Sequence, residues 1–204
     1  MRDRFRRNPV TAGYLLAVAG LALLMRFVFA DGMSAQIVES LSTNTGNLAH
    51  HPVNALVGSA FVLDPGDGVV FTAVALLGLA VCLGAFERVV GPWRAVGVAL
   101  AGHVGATMAA TAVIALGAYP VDLSEVVDVG VGHVAFAAGG AVTVLVPVVL
   151  RGPWLAVLVG YPLLVAEWFG AVPEFDAVGH VAAAVIGAGC GALAARRFFA
   201  FAGR

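Results

Sequence analysis

The charges of this chain separate by sign according to which gap between its apolar stretches they occupy. Ten of the eleven arginines (Arg2, Arg4, Arg6, Arg7, Arg88, Arg94, Arg151, Arg196, Arg197 and Arg204) lie in every other gap, both ends included. Ten of the twelve acids (Asp31, Glu39, Asp64, Asp67, Asp122, Glu125, Asp128, Glu167, Glu174 and Asp176) lie in the gaps between. A water-soluble fold has no reason to alternate charge sign with each hydrophobic run. A chain winding through a membrane does, because its basic loops stay on the cytoplasmic side.

With 61% hydrophobic and 11% charged residues over 204 positions, the chain cannot coat a water-soluble globule, where about a quarter of residues carry charge. A hydrocarbon layer about 30 Å thick takes about 20 apolar residues per helix. Six such stretches can be drawn, at 10–30, 68–86, 95–118, 128–150, 153–170 and 176–199. The sequence therefore predicts an all-α membrane protein, one six-helix bundle over 1–204, in the cell membrane with both Arg-rich termini in the cytoplasm. An Arg-rich start before an apolar run ending Val28-Phe29-Ala30 also fits a signal peptide, but that run is too long and carries Arg26, so it reads as a retained span. The net charge of −1 and the short basic ends give no reason to expect nucleic acid as a partner. Cys82 and Cys190 fall inside spans without a motif, and read as inert packing.

The longest gap, 31–67, is not a plain hydrophilic loop. Val53, Leu56, Val57, Ala60 and Phe61 repeat as one apolar stripe of a short helix, which predicts a segment lying in the outer interface or dipping into the bilayer. Trp93, Trp154 and Trp168 fall at span ends, as interfacial anchors do. Gly179, Ala183, Gly187 and Gly191 recur every fourth residue in the last span, a smooth ridge on which another helix backbone can pack.

Ionisable groups within spans are costly and face the bundle interior or a wet cavity. His133 lies five residues below Asp128, and His180 four below Asp176, about 6–8 Å deeper at about 1.5 Å per residue. Asp176 and His180 share a helix face, so the carboxylate can orient the imidazole. Gly130 and Gly132 permit close approach of a neighbour, with the last span the natural candidate. If the two helices touch, the two imidazoles meet beneath a rim of carboxylates, where they can bind a metal, relay protons or only hydrogen-bond. A shared zinc needs their nitrogens within about 5 Å, because each ligand sits about 2.0–2.1 Å from the ion. His103, between Gly102 and Gly105, reads as a helix-contact hydrogen bonder, and His50 and His51 as exposed loop residues.

This layout resembles the rhomboid family of intramembrane serine proteases. Pro52 to Leu63 (PVNALVGSAFVL) is similar to the family's stretch leading into its second helix, and Gly84 to Arg94 (GAFERVVGPWR) to its turn between second and third helices. Asp128 to Ala141 (DVGVGHVAFAAGGA) resembles the fourth-helix region bearing the serine in a Gly-x-Ser-Gly setting. Gly179-His180, followed by Ala183 and Gly187, resembles the sixth-helix Ala-His-x-x-Gly-x-x-x-Gly motif. The resemblance implies a rhomboid-like bundle with a partly embedded external first loop.

It also locates the departures. Gly132 stands at the nucleophile position, and the closest serine is Ser124 in the preceding loop. The second-helix His-x-x-x-Asn, which supplies oxyanion stabilisation in the family, corresponds to Gly68 to Thr72, reading Gly-Val-Val-Phe-Thr. The external loop lacks the family's Trp-Arg pair. Of the matched catalytic positions only His180 remains. The expectation is a non-proteolytic relative that needs no cofactor, with the lipid bilayer and client transmembrane helices as partners. The alternative is an intramembrane hydrolase on His180 and His133, supported by Asp128, Asp176 or Glu167, with zinc as a possible cofactor. Transport ranks last, since Thr107, Thr111 and Thr143 are almost the only other polar groups at mid-membrane.

Overall fold

Proline and glycine set several of the element boundaries. Pro9, Pro52 and Pro92 each open a helix, where the missing N–H is one the helix cannot use anyway. Gly91 turns the chain between two helices at φ 90°, a conformation that disfavours any side chain.

The computed structural model describes residues 8–29, 32–63, 69–117, 119 and 126–202. The charges at Arg2, Arg4, Arg6, Arg7, Asp31, Asp64, Asp67, Asp122, Glu125 and Arg204 lie outside them, as do Gly68, Ser124 and the side chain of Arg197. In chain order the elements are α1 (Pro9–Phe27), α2 (Met33–Leu41), α3 (Thr45–His50), α4 (Pro52–Ser59) and α5 (Val69–Gly78). The chain continues through a π-helical stretch (Leu79–Leu83) into α6 (Gly84–Val90), then α7 (Pro92–Ala115) and α8 (Val131–Val142) with a closing 3-10 turn (Thr143–Leu145). It ends with α9 (Val148–Val165), a two-stranded antiparallel hairpin of β1 (Trp168–Phe169) and β2 (Val172–Pro173), and α10 (Phe175–Ala202).

Among the described residues five helices are long and apolar enough to cross a membrane: Pro9–Phe27, Thr72–Val90, Pro92–Ala115, Val148–Val165 and Phe175–Arg196. Leu16, Val70, Val149 and Leu164 point outward, as they can where lipid is as apolar as the protein interior. Small residues point inward. α8 is the most enclosed element, with nine of its twelve residues buried, and it packs chiefly against α10 and α7.

The fourth span differs from the uniform helix expected at 128–150. Helix forms only over Val131–Leu145, about 22 Å at about 1.5 Å per residue, which is short of a bilayer. Residues 126–129 lead in without helical structure. Backbone of that kind survives at membrane depth only if protein groups satisfy it. Here the segment between α1 and α5 does so: Thr43 N donates to Asp128 O at 2.9 Å, Asp128 N to Ser42 Oγ at 2.8 Å, and Gly130 N to Ser59 O at 2.9 Å. The inner end is set by Pro147, which holds Val146 in an extended conformation and stops the helix. Arg151, expected in a loop, lies in α9 and donates to the carbonyls of Val144 and Val146, both at 3.0 Å. The fifth span correspondingly runs over Val148–Val165 rather than 153–170, and the hairpin takes up the remainder.

Two further expectations are made more specific. In α4 the small face, Ala55 and Ser59, is buried, whereas Val53 and Val57 of the predicted stripe point outward. Trp154 is more than an anchor, because its indole N–H donates to Gly139 O at 2.9 Å and ties α9 to α8. Glu87, one of two acids outside the charge pattern, is also explained. It is buried and accepts from Val10 N at 2.9 Å, Thr11 N at 2.8 Å and Thr11 Oγ1 at 2.7 Å, capping the positive end of α1.

Candidate functional site

α8 and α10 carry the same dipeptide, Gly132-His133 and Gly179-His180, and each glycine faces the other helix's histidine. A β-carbon on Gly132 would collide with His180 Nε2, and one on Gly179 would collide with His133 Nε2. Further along, a β-carbon at Gly187 would strike the backbone of Ala137, and one at Gly191 that of Ala141. The small-residue ridge therefore serves packing within the chain, and it brings the two imidazoles to 5.5 Å between ring centres, edge to face.

Each histidine sits beside its expected carboxylate. His180 Nδ1 lies 3.3 Å from Asp176 Oδ2, one helical turn earlier, and the ring lies against Phe136 at 4.4 Å between centres. His133 Nε2 lies 3.9 Å from Asp128 Oδ1, too far for a hydrogen bond. Asp128 is not a loop charge: it is buried, and Thr43 Oγ1 donates to its Oδ2 at 2.8 Å. His133 is fully buried, and neither ring nitrogen has a hydrogen-bond partner among the described residues. One atom each from His133, Asp176 and His180 all lie within 4.8 Å of one another.

Above these groups opens a cavity of about 360 Å³, whose lining includes Thr72, Asp128, Gly132, Glu174, Asp176 and His180. Burial first, then the neighbouring Asp176 and Glu167 carboxylates, hold the Glu174 carboxyl above its usual range. Glu167 itself is exposed at the start of the hairpin and is not among the groups lining the cavity; its carbonyl accepts from the Glu174 N–H at 2.8 Å.

His103 extends the pair into a row, its ring 5.9 Å from that of His133. Nε2 lies 2.9 Å from Leu56 O and 3.3 Å from Ser59 Oγ. A carbonyl only accepts, so Nε2 carries the proton and donates it to Leu56 O, and that nitrogen is no base for the Ser59 hydroxyl. Sequence reasoning placed His103 as a hydrogen bonder between helices. It missed that the partner is α4, which dips to the depth of the histidines. Thr72, Glu174, Ser42 and Thr43 were missed as well. Thr72 alone had a signal, since it holds the position of the resembled asparagine.

A second, apolar groove of about 280 Å³ lies between α5 and α9, lined by residues including Val74, Gly78, Phe136, Trp154, Val157 and Tyr161. α9 packs on α10 and exposes nearly all its length, with Pro162 its one buried residue.

The family model described as rhomboid-like protein matches residues 4–199. No curated protein and no solved structure matches the chain.

Proposed function

The chain belongs to the rhomboid-like family, and from that premise we propose that it binds membrane clients without serine-protease chemistry, in the cell membrane with both termini cytoplasmic. One observation carries this reading. At the nucleophile position Gly132 offers no hydroxyl, and His180 Nε2 stands where a β-carbon would be. Among the described residues no serine lines the cavity, and Ser59 is buried at the end of α4 beside a histidine nitrogen that already holds a proton. A base without a nucleophile forms no acyl-enzyme.

The client surface in this reading is the groove between α5 and α9. Its walls are apolar, it faces the bilayer, and the peripheral α9 leaves room for the apolar transmembrane helix of a partner to lie against Phe136 and Trp154. Purified protein in detergent is expected to stay unlabelled by a serine-directed phosphonate. In liposomes, a photo-crosslinker at Val157 is expected to capture a single-span apolar peptide that one at Val149, outside the groove, does not. Labelling that disappears in a single Ser→Ala variant overturns the proposal.

A second reading, an intramembrane hydrolase, has one observation in its favour: His180, Asp176, Glu174 and Thr72 converge on one cavity. It requires turnover of a membrane-embedded peptide that His180→Ala abolishes.

A further inference from the structure

We propose that His133, His180 and Asp176 form a binding site for a divalent transition-metal ion of the zinc class, held between α8 and α10. The donor set comes first. Two imidazoles and one carboxylate are the protein ligands of many sites for such ions, which keep a remaining position for water or substrate. Their donor atoms lie within 4.8 Å of one another, with His133 supplied by α8 and the other two by α10.

The second observation is independent of this spacing. An imidazole brings one donor and one acceptor, or two donors when charged, and a fully buried ring with neither nitrogen hydrogen-bonded is a costly arrangement. His133 is such a ring among the described residues. An ion between α8 and α10 takes up the lone pair of Nε2, the nitrogen that faces Gly179.

Access and closure are also provided. Asp176 and His180 line the outer cavity, so an ion entering there meets two of its ligands directly. Ligands of one tetrahedral zinc stand about 3.4 Å apart when each bond is about 2.0–2.1 Å, so the donors must draw in. Asp176 is 45% exposed, so its carboxylate can swing toward the rings without disturbing the packed ridge.

This inference does not depend on the client-binding reading, because metal uptake is measured without any activity. The full chain in detergent, stripped with a chelator, is titrated with zinc, and with cobalt as a spectroscopic probe. The expected result is one ion per chain, cobalt bands of four-coordinate type, and a higher unfolding temperature with zinc. Asp176→Asn, a change at a half-exposed position, is expected to weaken uptake at least tenfold in folded protein, and His180→Gln to weaken it further. His50→Gln with His51→Gln controls for the exposed histidine pair and is expected to change nothing. Absence of stoichiometric uptake overturns the site and leaves water as the partner of His133, and so does uptake unchanged in Asp176→Asn and His180→Gln.

Discussion

Gly132 and Gly187 both lie in the contact between α8 and α10, but what a β-carbon would meet differs. At Gly132 it meets the tip of the His180 ring, which can rotate; at Gly187 it meets the backbone of Ala137, which cannot move without parting the helices. Gly132→Ala is therefore expected to cost on the order of 1–3 kcal/mol, in the range of ordinary overpacking, and Gly187→Ala more than that. Gly189, on the exposed side of the same helix, has nothing within 4 Å of a β-carbon, so Gly189→Ala is expected to gain up to about 1 kcal/mol from helix propensity. Unfolding of the three variants in one detergent gives the order. A Gly187→Ala change no costlier than Gly132→Ala contradicts the close approach. His133, His180 and Asp176 were legible in the sequence because local spacing fixes each: a glycine before each histidine, a carboxylate one turn before His180. Thr43, Ser42 and Leu56 were not, since their partners Asp128 and His103 lie 47 to 86 residues away in sequence and no periodicity connects them.

Helix α1 shows the same division between local and distant signals. Its length and apolarity were readable, but its N-terminal cap is supplied by Glu87, 76 to 77 residues away. Asn8, at the cap position, does not cap with its own side chain, and its amide oxygen instead accepts from Arg88 Nε at 3.2 Å. A carboxylate taking two backbone N–H groups and a hydroxyl is worth more than one neutral bond, with hydrogen bonds to charged groups contributing about 1.5–3 kcal/mol each. Glu87→Ala is expected to destabilise by at least about 1.5–3 kcal/mol and to release α1 first, because its first N–H groups then have no acceptor. Early hydrogen exchange at Val10 and Thr11, with α8 and α10 still protected, is the signature; uniform loss of protection contradicts it. The fourth span was misread for a related reason. Hydropathy sees apolar residues from 128 to 150 but cannot see that the backbone before Gly130 is satisfied by the segment between α1 and α5, nor that Pro147 ends the helix.

For the whole molecule, the charge pattern and the contacts agree on two ends. Asn8 with Arg88, and Val10 and Thr11 with Glu87, gather at one end; Thr43 with Asp128, and the Tyr119 hydroxyl donating to Pro173 O at 2.8 Å, gather at the other. Sidedness therefore rests on whether α8, at about 22 Å, completes a crossing together with its non-helical lead-in. If it does, the chain crosses six times and Gly152, at the start of α9, faces the cytoplasm with Trp93; if it turns back instead, Gly152 faces outward. Single cysteines at Ser40, Trp93, Gly152 and Glu167, all exposed, in a background lacking Cys82 and Cys190, decide between these. A membrane-impermeant maleimide is expected to label Ser40→Cys and Glu167→Cys in intact cells, and Trp93→Cys and Gly152→Cys only after permeabilisation. Labelling of Gly152→Cys in intact cells would show that the buried lead-in returns the chain to the outer side, and would remove the cytoplasmic C-terminus with it. The six-crossing outcome is favoured because Arg151 and Arg94 would otherwise stand on opposite faces, against the rule that keeps arginine-bearing loops inside.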